Sequence, residues 1–254
     1  MMRLLVNFLE AILNTFYRDD EGPDLSVQVY RRFFVLETVA RVPYFAYLSV
    51  LHLYETMGWW RKSDWLKIHF AEAWNELHHL LIAEALGGDR YWIDRLLARA
   101  GAFIYYWILV PVYMVSPRSA YHFMQLVEEH AYHTYDTFLQ KHEVALKAAP
   151  APAVATKYYQ EGDMYLFDEF QMAESSQQRR PQIETLYDVF VAVRDDELEH
   201  VKTMIACQQP NAQANFQSPH NSEEPALPEA TKEAIANTTD QLVQESQSEP
   251  VEIG

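Results

Sequence analysis

Asn75-Glu76-Leu77-His78-His79 is the stretch of sequence that predicts the fold. Glu76 and His79 are three residues apart, and because each helical residue advances by about 100°, both side chains project from one face of a helix. The same spacing returns far downstream in Asp195-Asp196-Glu197-Leu198-Glu199-His200, and a polar residue again precedes the first glutamate of the pair. Two such motifs on separate helices are typical of a two-metal site inside a four-helix bundle.

Such a site also needs one inward glutamate from each of two further helices. Glu37 and Glu128 are suitable, because each interrupts a segment that is otherwise apolar and helical in character. Chance gives about one Glu-x-x-His pair in a chain with 10 His, so the count alone is weak evidence. The context is stronger, since burying a carboxylate without a partner is unfavourable and a bound metal offsets this. We therefore predict an all-α, ferritin-like four-helix bundle with additional helices, built around a carboxylate-bridged metal pair.

The composition agrees with a helical and acidic protein. Hydrophobic residues make up 49% of the 254 residues and there are only 7 Gly, which favours helices over a turn-rich β fold. The net charge of −16 argues against nucleic-acid binding, which requires a basic surface. Cys207 is the single cysteine, so we expect a small buried core residue and a chain compatible with a reducing compartment.

Five helical segments follow from the apolar periodicity and from the break signals between them. They run from Val29 to about Met57 with a kink at Pro43, from Ser63 to just before Gly87, from about Asp89 to Val115, from Ser116 onward, and from Pro181 to near Cys207. In the first helix Glu37 and Arg41 are four residues apart. A simple salt bridge between these two residues is therefore an alternative to a ligand role for Glu37.

Three regions divide the chain. Residues 1–22 read as an N-terminal amphipathic arm rather than a secretory leader, because Asn7 and Glu10 interrupt the apolar run. Residues 23–207 form the helical domain, within which we expect 148–180 to be an insertion packed on the surface. Residues 208–254 are acidic and poor in aromatic side chains, so we expect a disordered tail.

The uncharged length of the third predicted helix raises the question of whether it crosses a membrane. Residues 100–117 are 18 residues without a formal charge, which is near the lower limit for a membrane span. A single crossing there would place Glu76 and Glu128 on opposite sides of a hydrocarbon layer about 30 Å thick. The two metals of such a site lie about 3.5–4 Å apart. We therefore expect a monotopic protein that lies on the membrane interface.

With these residues in view, the chain resembles the alternative oxidase family, and within it the plastid terminal oxidase branch, over about Val29 to Gln208. Five stretches carry the resemblance: Arg32–Thr38, Trp74–Leu80, His130–Asp136, Tyr165–Gln171 and Arg194–His200. The insertion near 150–180 also resembles the plastid branch, since the mitochondrial branch is shorter there.

The resemblance implies a set of functional residues. A diiron centre would be bound by Glu37, Glu76, His79, Glu128, Glu197 and His200. Catalytic or supporting roles beside the irons would belong to Asn75, Tyr135 and Asp196. A quinol pocket between the first and fourth predicted helices would be lined by Arg32, Leu36, His130, Ala131 and Thr134. His130 stands where mitochondrial relatives carry a carboxylate, and for Tyr135 both core packing and proton or electron transfer are open.

The resemblance also implies an activity and a place for it. Two quinols, plastoquinol in this branch, would supply the four electrons that reduce O2 to water, without proton pumping. The family is dimeric and lies on one membrane leaflet through the exposed sides of the first and fourth helices. Because the composition of a transit peptide is absent, we expect a thylakoid membrane of cyanobacterial or plastid type, or a mature form of an imported protein.

Two other interpretations remain open. A soluble dimetal ferritin-like oxidase or ferroxidase would use the same kind of ligand set, and these ligand types also admit manganese. A non-enzymatic membrane-associated helical protein would use the glutamates in salt bridges. The metal content of the purified protein separates this last interpretation from the other two.

Overall fold

The computed structural model describes residues 17, 25, 27–59, 63–161, 166–172, 178–209 and 228–248. These residues form α-helices and their connections, which confirms the predicted all-α class. The helices are α1 (Val27–Ala40), α2 (Val42–Thr56), α3 (Ser63–Ala85), α4 (Trp92–Val115), α5 (Pro117–Ala148), α6 (Ala153–Gln160), α7 (Phe167–Phe170), α8 (Leu186–Cys207) and α9 (Glu229–Ser248). Apart from Tyr17, the predicted N-terminal arm lies outside the described residues.

The first predicted helix is two helices, α1 and α2, with Arg41 between them. Pro43 lies in the first turn of α2, where its missing backbone N–H leaves no hydrogen bond unmade, and Arg41 before it keeps right-handed helical backbone angles. The predicted interruption at Pro43 is therefore a one-residue break between two consecutive helices. Glu37, near the end of α1, accepts a hydrogen bond from the Tyr135 hydroxyl. Within the described residues no ion pair joins Glu37 to Arg41, so the salt-bridge alternative for Glu37 is not supported.

Gly88 lets α1 and α3 approach each other closely. It follows the left-handed Gly87 that ends α3, and a Cβ at Gly88 would overlap the backbone oxygen of Tyr30 on α1. The same Cβ would lie only 2.9 Å from the backbone oxygen of Ala83. A side chain at this position would therefore push apart the two helices that carry Glu37 and Glu76.

Four helices, α1, α3, α5 and α8, form the bundle and carry one predicted glutamate ligand each. Aromatic rings fill the space between them: Phe33 of α1 stacks on Tyr135 of α5 at 4.7 Å and meets Phe190 of α8 at 5.5 Å. Phe138 closes the cluster with edge-on contacts to both phenylalanines. Burial of these rings supplies much of the apolar area that holds the bundle together.

The prediction that the insertion at 148–180 packs on the surface is wrong for residues 148–161 and 166–172, which the structure describes. Tyr158 and Tyr159 of α6 and Phe167 and Phe170 of α7 are fully buried against the bundle. Short helices can contribute strongly to a core when each of them buries two large rings. The last bundle helix also starts later than predicted, at Leu186, where Thr185 and Asp188 form a reciprocal capping box.

The predicted disordered tail differs from the structure over Glu229–Ser248, which is helix α9. Leu242 of α9 is buried against Tyr132 of α5 and Val201 of α8. Gln140 of α5 donates a hydrogen bond of 3.0 Å to the backbone oxygen of Ser246. The average composition of residues 208–254 concealed the narrow apolar stripe that docks this helix. Residues 210–227 and 249–254 lie outside the described part of the chain.

An exposed apolar surface runs along α4. Its large side chains include Trp92, Phe103, Trp107 and Ile108, exposed by 54% to 66%. The stretches Val27–Thr56 and Trp92–Val115 are both long and apolar enough to cross a membrane by length and composition, but an apolar window of 18 residues is 56% buried in the first and only 17% buried in the second. Most of the exposed large apolar side chains of the described residues thus lie on the third predicted helix, whereas leaflet contact was expected on the first and fourth.

Candidate metal centre

The six predicted ligands meet at one buried point between α1, α3, α5 and α8. Each is at most 2% exposed, and their oxygen and nitrogen atoms fall into two groups within 4.8 Å that share Glu76 and Glu197. The first group is Glu37, Glu76, Glu197 and His79, and the second is Glu76, Glu128, Glu197 and His200. Two groups with two glutamates in common provide the arrangement that two neighbouring cations bridged by carboxylates require.

One nitrogen of the His79 ring faces the cluster carboxylates, and the other contacts Asp196. Its Nδ1 lies 3.2 Å from Glu197, 3.8 Å from Glu37 and 3.9 Å from Glu76. Its Nε2 lies 3.2 Å from Oδ2 of Asp196. A histidine that donates one N–H to a carboxylate and turns the other nitrogen inward is the usual arrangement of a metal ligand.

His200 approaches the cluster from the opposite side. Its Nδ1 lies 3.0 Å from Glu76, 3.7 Å from Glu197 and 3.8 Å from Glu128. The ring is flanked by Tyr44 and Phe170, each with its centroid at 5.4 Å. No described residue makes a hydrogen bond to Nε2 of His200, so the two histidines have different surroundings.

The donor atoms of the cluster fit a metal pair. Within the described residues no hydrogen bond reaches Oε2 of Glu37, Glu128 or Glu197, either oxygen of Glu76, or Nδ1 of either histidine. Buried polar atoms are almost always satisfied, so their convergence here calls for a ligand between them. Four carboxylates carry the charge that two divalent cations neutralise, and a carboxylate and imidazole set suits iron or manganese.

The pKa shifts of the cluster carboxylates agree with a site for a pair of cations. Burial, followed by the neighbouring Glu76 and Glu197, raises the pKa of Glu37 and of Glu128 well above the ordinary value. For Glu197 burial acts in the same direction, but the imidazoles of His200 and His79, whose Nδ1 atoms lie 3.7 and 3.2 Å from its carboxylate, outweigh it and lower the pKa. The cluster therefore holds protons that bound cations would displace, so metal binding should release protons.

Asn75, Asp196 and Tyr135 lie beside the ligands, as the resemblance implies. Asn75 donates hydrogen bonds of 2.9 Å to Asp196 and to the Tyr158 hydroxyl. The Tyr135 hydroxyl donates to Glu37 while its ring stacks on Phe33, so this residue both packs in the core and contacts a ligand.

Sequence reasoning missed three residues that also support the site. Tyr44 donates to Glu128, while Tyr159 and Arg179 donate to Asp196. Tyr44 lies in a segment that reads as plain apolar core, and the other two lie in the insertion. Their roles depend on which helices meet in the fold, and no local spacing signals that.

Glu72 and three other histidines stay outside the cluster. Glu72 is fully buried and binds His69 at 2.7 Å, and the other nitrogen of His69 lies 2.7 Å from the Tyr121 hydroxyl. His133 lies 3.4 Å from Glu245 of α9 and is partly exposed, and His130 is half-buried on α5. None of these residues shares in the two groups of converging ligand atoms.

The predicted quinol-pocket residues lie on two adjoining helices. On α1, Arg32 comes directly before Phe33 and Leu36 follows Phe33 by three residues. On α5, His130, Ala131 and Thr134 precede Tyr135. The Phe33–Tyr135 stack joins these helices. A cavity of about 280 Å³ is lined by residues that include Thr38, Arg41, Glu84 and Arg99, and none of the five predicted residues lines it.

Comparisons with known proteins agree with this geometry. The family model described as "Alternative oxidase" matches residues 1–209. Over 217 residues the chain is 58% identical to "Ubiquinol oxidase 4, chloroplastic/chromoplastic" of Arabidopsis thaliana, an alignment that covers 85% of this chain and 59% of that protein. No solved structure matches the chain significantly.

More distant relatives carry related names. The chain is 32% identical over 170 residues to "Ubiquinol oxidase, mitochondrial" of Mangifera indica, covering 66% of this chain and 47% of that protein. It is 30% identical over 200 residues to "Ubiquinol oxidase" of Trachipleistophora hominis, covering 78% and 54%. The chain thus spans less than two thirds of the length of each of these relatives.

Proposed function

Because this chain belongs to the alternative oxidase family, we propose that it is a diiron quinol oxidase that reduces O2 to water with electrons from two quinols. The observation that carries the proposal is the pair of buried ligand groups sharing Glu76 and Glu197. Two quinols release four electrons and four protons, which is what one O2 needs to form two waters. The balance therefore requires no other reductant or oxidant.

The side chains around the cluster would hold the reaction in place. Iron bound by Glu37, Glu76, His79, Glu128, Glu197 and His200 would supply the exchange of electrons with quinol and with O2. The full burial of these residues excludes bulk water, which strengthens every electrostatic interaction in the site. The Tyr135 hydroxyl, bonded to Glu37, would hold a proton between the ligands and the helix face of the proposed quinol pocket. Tyr44 would do the same at Glu128 on the opposite side.

The quinol is proposed to bind between α1 and α5, at Arg32, Leu36, His130, Ala131 and Thr134. Plastoquinol is the proposed donor, since the most similar of the relatives named above is a chloroplastic protein. Both helices reach the metal ligands from this side, through Glu37 and through the Tyr135 hydroxyl that binds it. A guanidinium at Arg32 is a suitable donor to a quinol oxygen.

Two arginines test the quinol position. Arg32→Ala should raise the KM for quinol about tenfold or more while iron content stays unchanged, because a hydrogen bond from a charged donor is worth about 1.5–3 kcal/mol. Arg99→Ala is the matched control, since Arg99 lines the cavity that none of the five proposed quinol residues lines. A KM raised by the Arg99 change and not by the Arg32 change would move the quinol to that cavity.

The membrane assignment is also a proposal. Exposed large apolar side chains follow one another along α4, and a monotopic homodimer on one leaflet would cover them with lipid and with a second copy. A crossing by α4 alone would separate Glu76 from Glu128, yet both belong to one ligand group. A thylakoid membrane of plastid type is the proposed location.

Oxygen uptake with a reduced short-chain quinol tests the activity. The wild-type protein should consume O2, and Glu197→Ala should abolish uptake because Glu197 belongs to both ligand groups. Equal rates in the two proteins would refute the assignment. Uptake driven by free Fe(II) and not by quinol would instead indicate a ferroxidase.

A further inference from the structure

Asp196 is a fully buried carboxylate that is held by two parts of the chain. Its Oδ2 accepts hydrogen bonds from Asn75 at 2.9 Å and from the Tyr159 hydroxyl at 2.8 Å, and it lies 3.2 Å from Nε2 of His79. Its Oδ1 binds the guanidinium of Arg179, which is the partner of that oxygen among the described residues. The guanidinium of Arg179, together with the ring of His79, thus offsets this buried charge.

Arg179 is itself fixed by the insertion. Its backbone N–H donates a hydrogen bond of 2.7 Å to Oε1 of Gln171, and its guanidinium lies 5.8 Å from the centre of the Phe167 ring. Its side chain is only 24% exposed, which reduces solvent screening of the ion pair with Asp196. The position of Asp196 is therefore set in part by residues outside the four-helix bundle.

The two ligand histidines differ in the hydrogen-bond partner of the nitrogen that faces away from the cluster. Asp196 holds His79 with Nδ1 toward Glu37, Glu76 and Glu197, whereas no described residue makes a hydrogen bond to Nε2 of His200. Outer partners of ligand histidines orient the ring and strengthen the ligand, and losing one weakens metal binding about 10- to 100-fold. The two halves of the site should therefore differ in metal affinity.

We propose that Arg179 is a positioning residue: by holding Asp196, it fixes His79 and makes the metal position beside His79 the tighter of the two. This deepens the proposed function and rests on it. The insertion would then stabilise the half of the metal centre that contains His79.

Anaerobic calorimetric titration of the metal-stripped full chain with Fe(II) tests the proposal. The wild-type protein should bind two ions with separable affinities. Arg179→Met should weaken the tighter step about 10- to 100-fold and leave the weaker step unchanged. Arg179→Lys, which keeps a positive charge, should restore part of the loss. Mössbauer spectra of the iron-loaded variant should show a change at one of the two irons.

Arg180→Met is the matched control. Arg180 is the next residue in the same loop, and its ion pair with Asp168 is half-exposed, so its loss should change neither step. Unchanged affinities in Arg179→Met, or an equal loss at both steps, would overturn the proposal. If circular dichroism shows that Arg179→Met does not fold, the same titration is made with Tyr159→Phe, which removes a donor to Asp196 and keeps the ring. This variant should likewise weaken only the tighter step. A wild-type chain that binds no pair of ions would remove the proposed function as well.

Discussion

Tyr135 and Tyr44 occupy comparable places at the two ends of the ligand cluster. Each is buried in the core and donates its hydroxyl hydrogen to a ligand glutamate, Glu37 in one case and Glu128 in the other. Burial raises the pKa of both hydroxyls well above the ordinary value, with the nearby glutamates acting in the same direction, so both tyrosines keep their protons at neutral pH. They differ in that Tyr135 lies beside the proposed quinol residues.

This difference leads to a prediction. Tyr135→Phe should lower the rate of quinol oxidation about 10- to 100-fold while the protein still folds, because it removes one donor to a ligand and keeps the stacked ring. Steady-state oxygen uptake and iron content would be measured together. Tyr158→Phe is the comparison, since Tyr158 accepts from Asn75 and donates to no ligand. Full activity in Tyr135→Phe would show that its hydroxyl has no part in the reaction.

At the scale of single elements, sequence reasoning succeeded where the signal is local. The spacing of Glu76 and His79, and of Glu197 and His200, is a property of one helix turn, so the sequence predicted α3 and α8 and the faces they turn inward. It failed for the insertion and for α9, because a short helix is recognised by what it packs against. The contact between Arg179 and Asp196 also depends on tertiary packing, so no local sequence pattern predicts it.

The contact between α1 and α3 carries a prediction about stability. Gly88→Ala should lower the free energy of unfolding by about 1–3 kcal/mol, since its Cβ would meet backbone oxygens that cannot move aside. Thermal unfolding followed by circular dichroism would measure this. Gly101→Ala is the control, because a Cβ there meets nothing within 4 Å and alanine favours a helix by about 1 kcal/mol. Equal melting temperatures for wild type and Gly88→Ala would contradict the described packing.

The capping box at the start of α8 gives a prediction about pH. Burial opposes ionisation of Asp188, but hydrogen bonds from the backbone and side chain of Thr185 and from the backbone of Glu184 together outweigh it and lower the pKa below the ordinary 3.8. A lowered carboxyl pKa stabilises the fold above the unfolded value, and this contribution is lost as the pH falls through the folded pKa. Asp188→Asn should therefore be less stable than wild type at pH 7, and the difference in the free energy of unfolding should begin to narrow as the pH falls below about 4. A difference that is as large at about pH 2 as at pH 7 would argue against this role.

At the scale of the whole molecule, the described structure combines a water-excluding centre with an apolar outer surface. The ligand cluster lies inside the bundle, while Trp92, Phe103 and Trp107 on α4 are largely exposed. Hydropathy identified the helix, but it could not predict which face would remain uncovered, because that depends on where α2 and α5 pack. A quinol oxidase draws its substrate from a lipid layer, so an apolar surface suits the proposed function.

The apolar surface should be covered in the working protein. Replacing Phe103 and Trp107 together by glutamate should reduce flotation with lipid vesicles several-fold, or shift the mass in detergent from dimer to monomer, while iron content stays unchanged. Replacing exposed Glu143 and Glu161 by glutamine changes charge without touching this surface and serves as the comparison. If neither flotation nor mass changes in the Phe103/Trp107 variant, the surface has no such role.

The most direct measurement is the iron content of the purified and iron-reconstituted protein, compared between Glu128→Ala and Glu129→Ala. The two glutamates are neighbours on α5, but only Glu128 is in the ligand cluster, while Glu129 binds Gln125. We predict about two irons per chain in wild type and in Glu129→Ala, and fewer in Glu128→Ala. Wild-type protein that takes up no iron, or Glu128→Ala that retains as much iron as Glu129→Ala, would contradict the account.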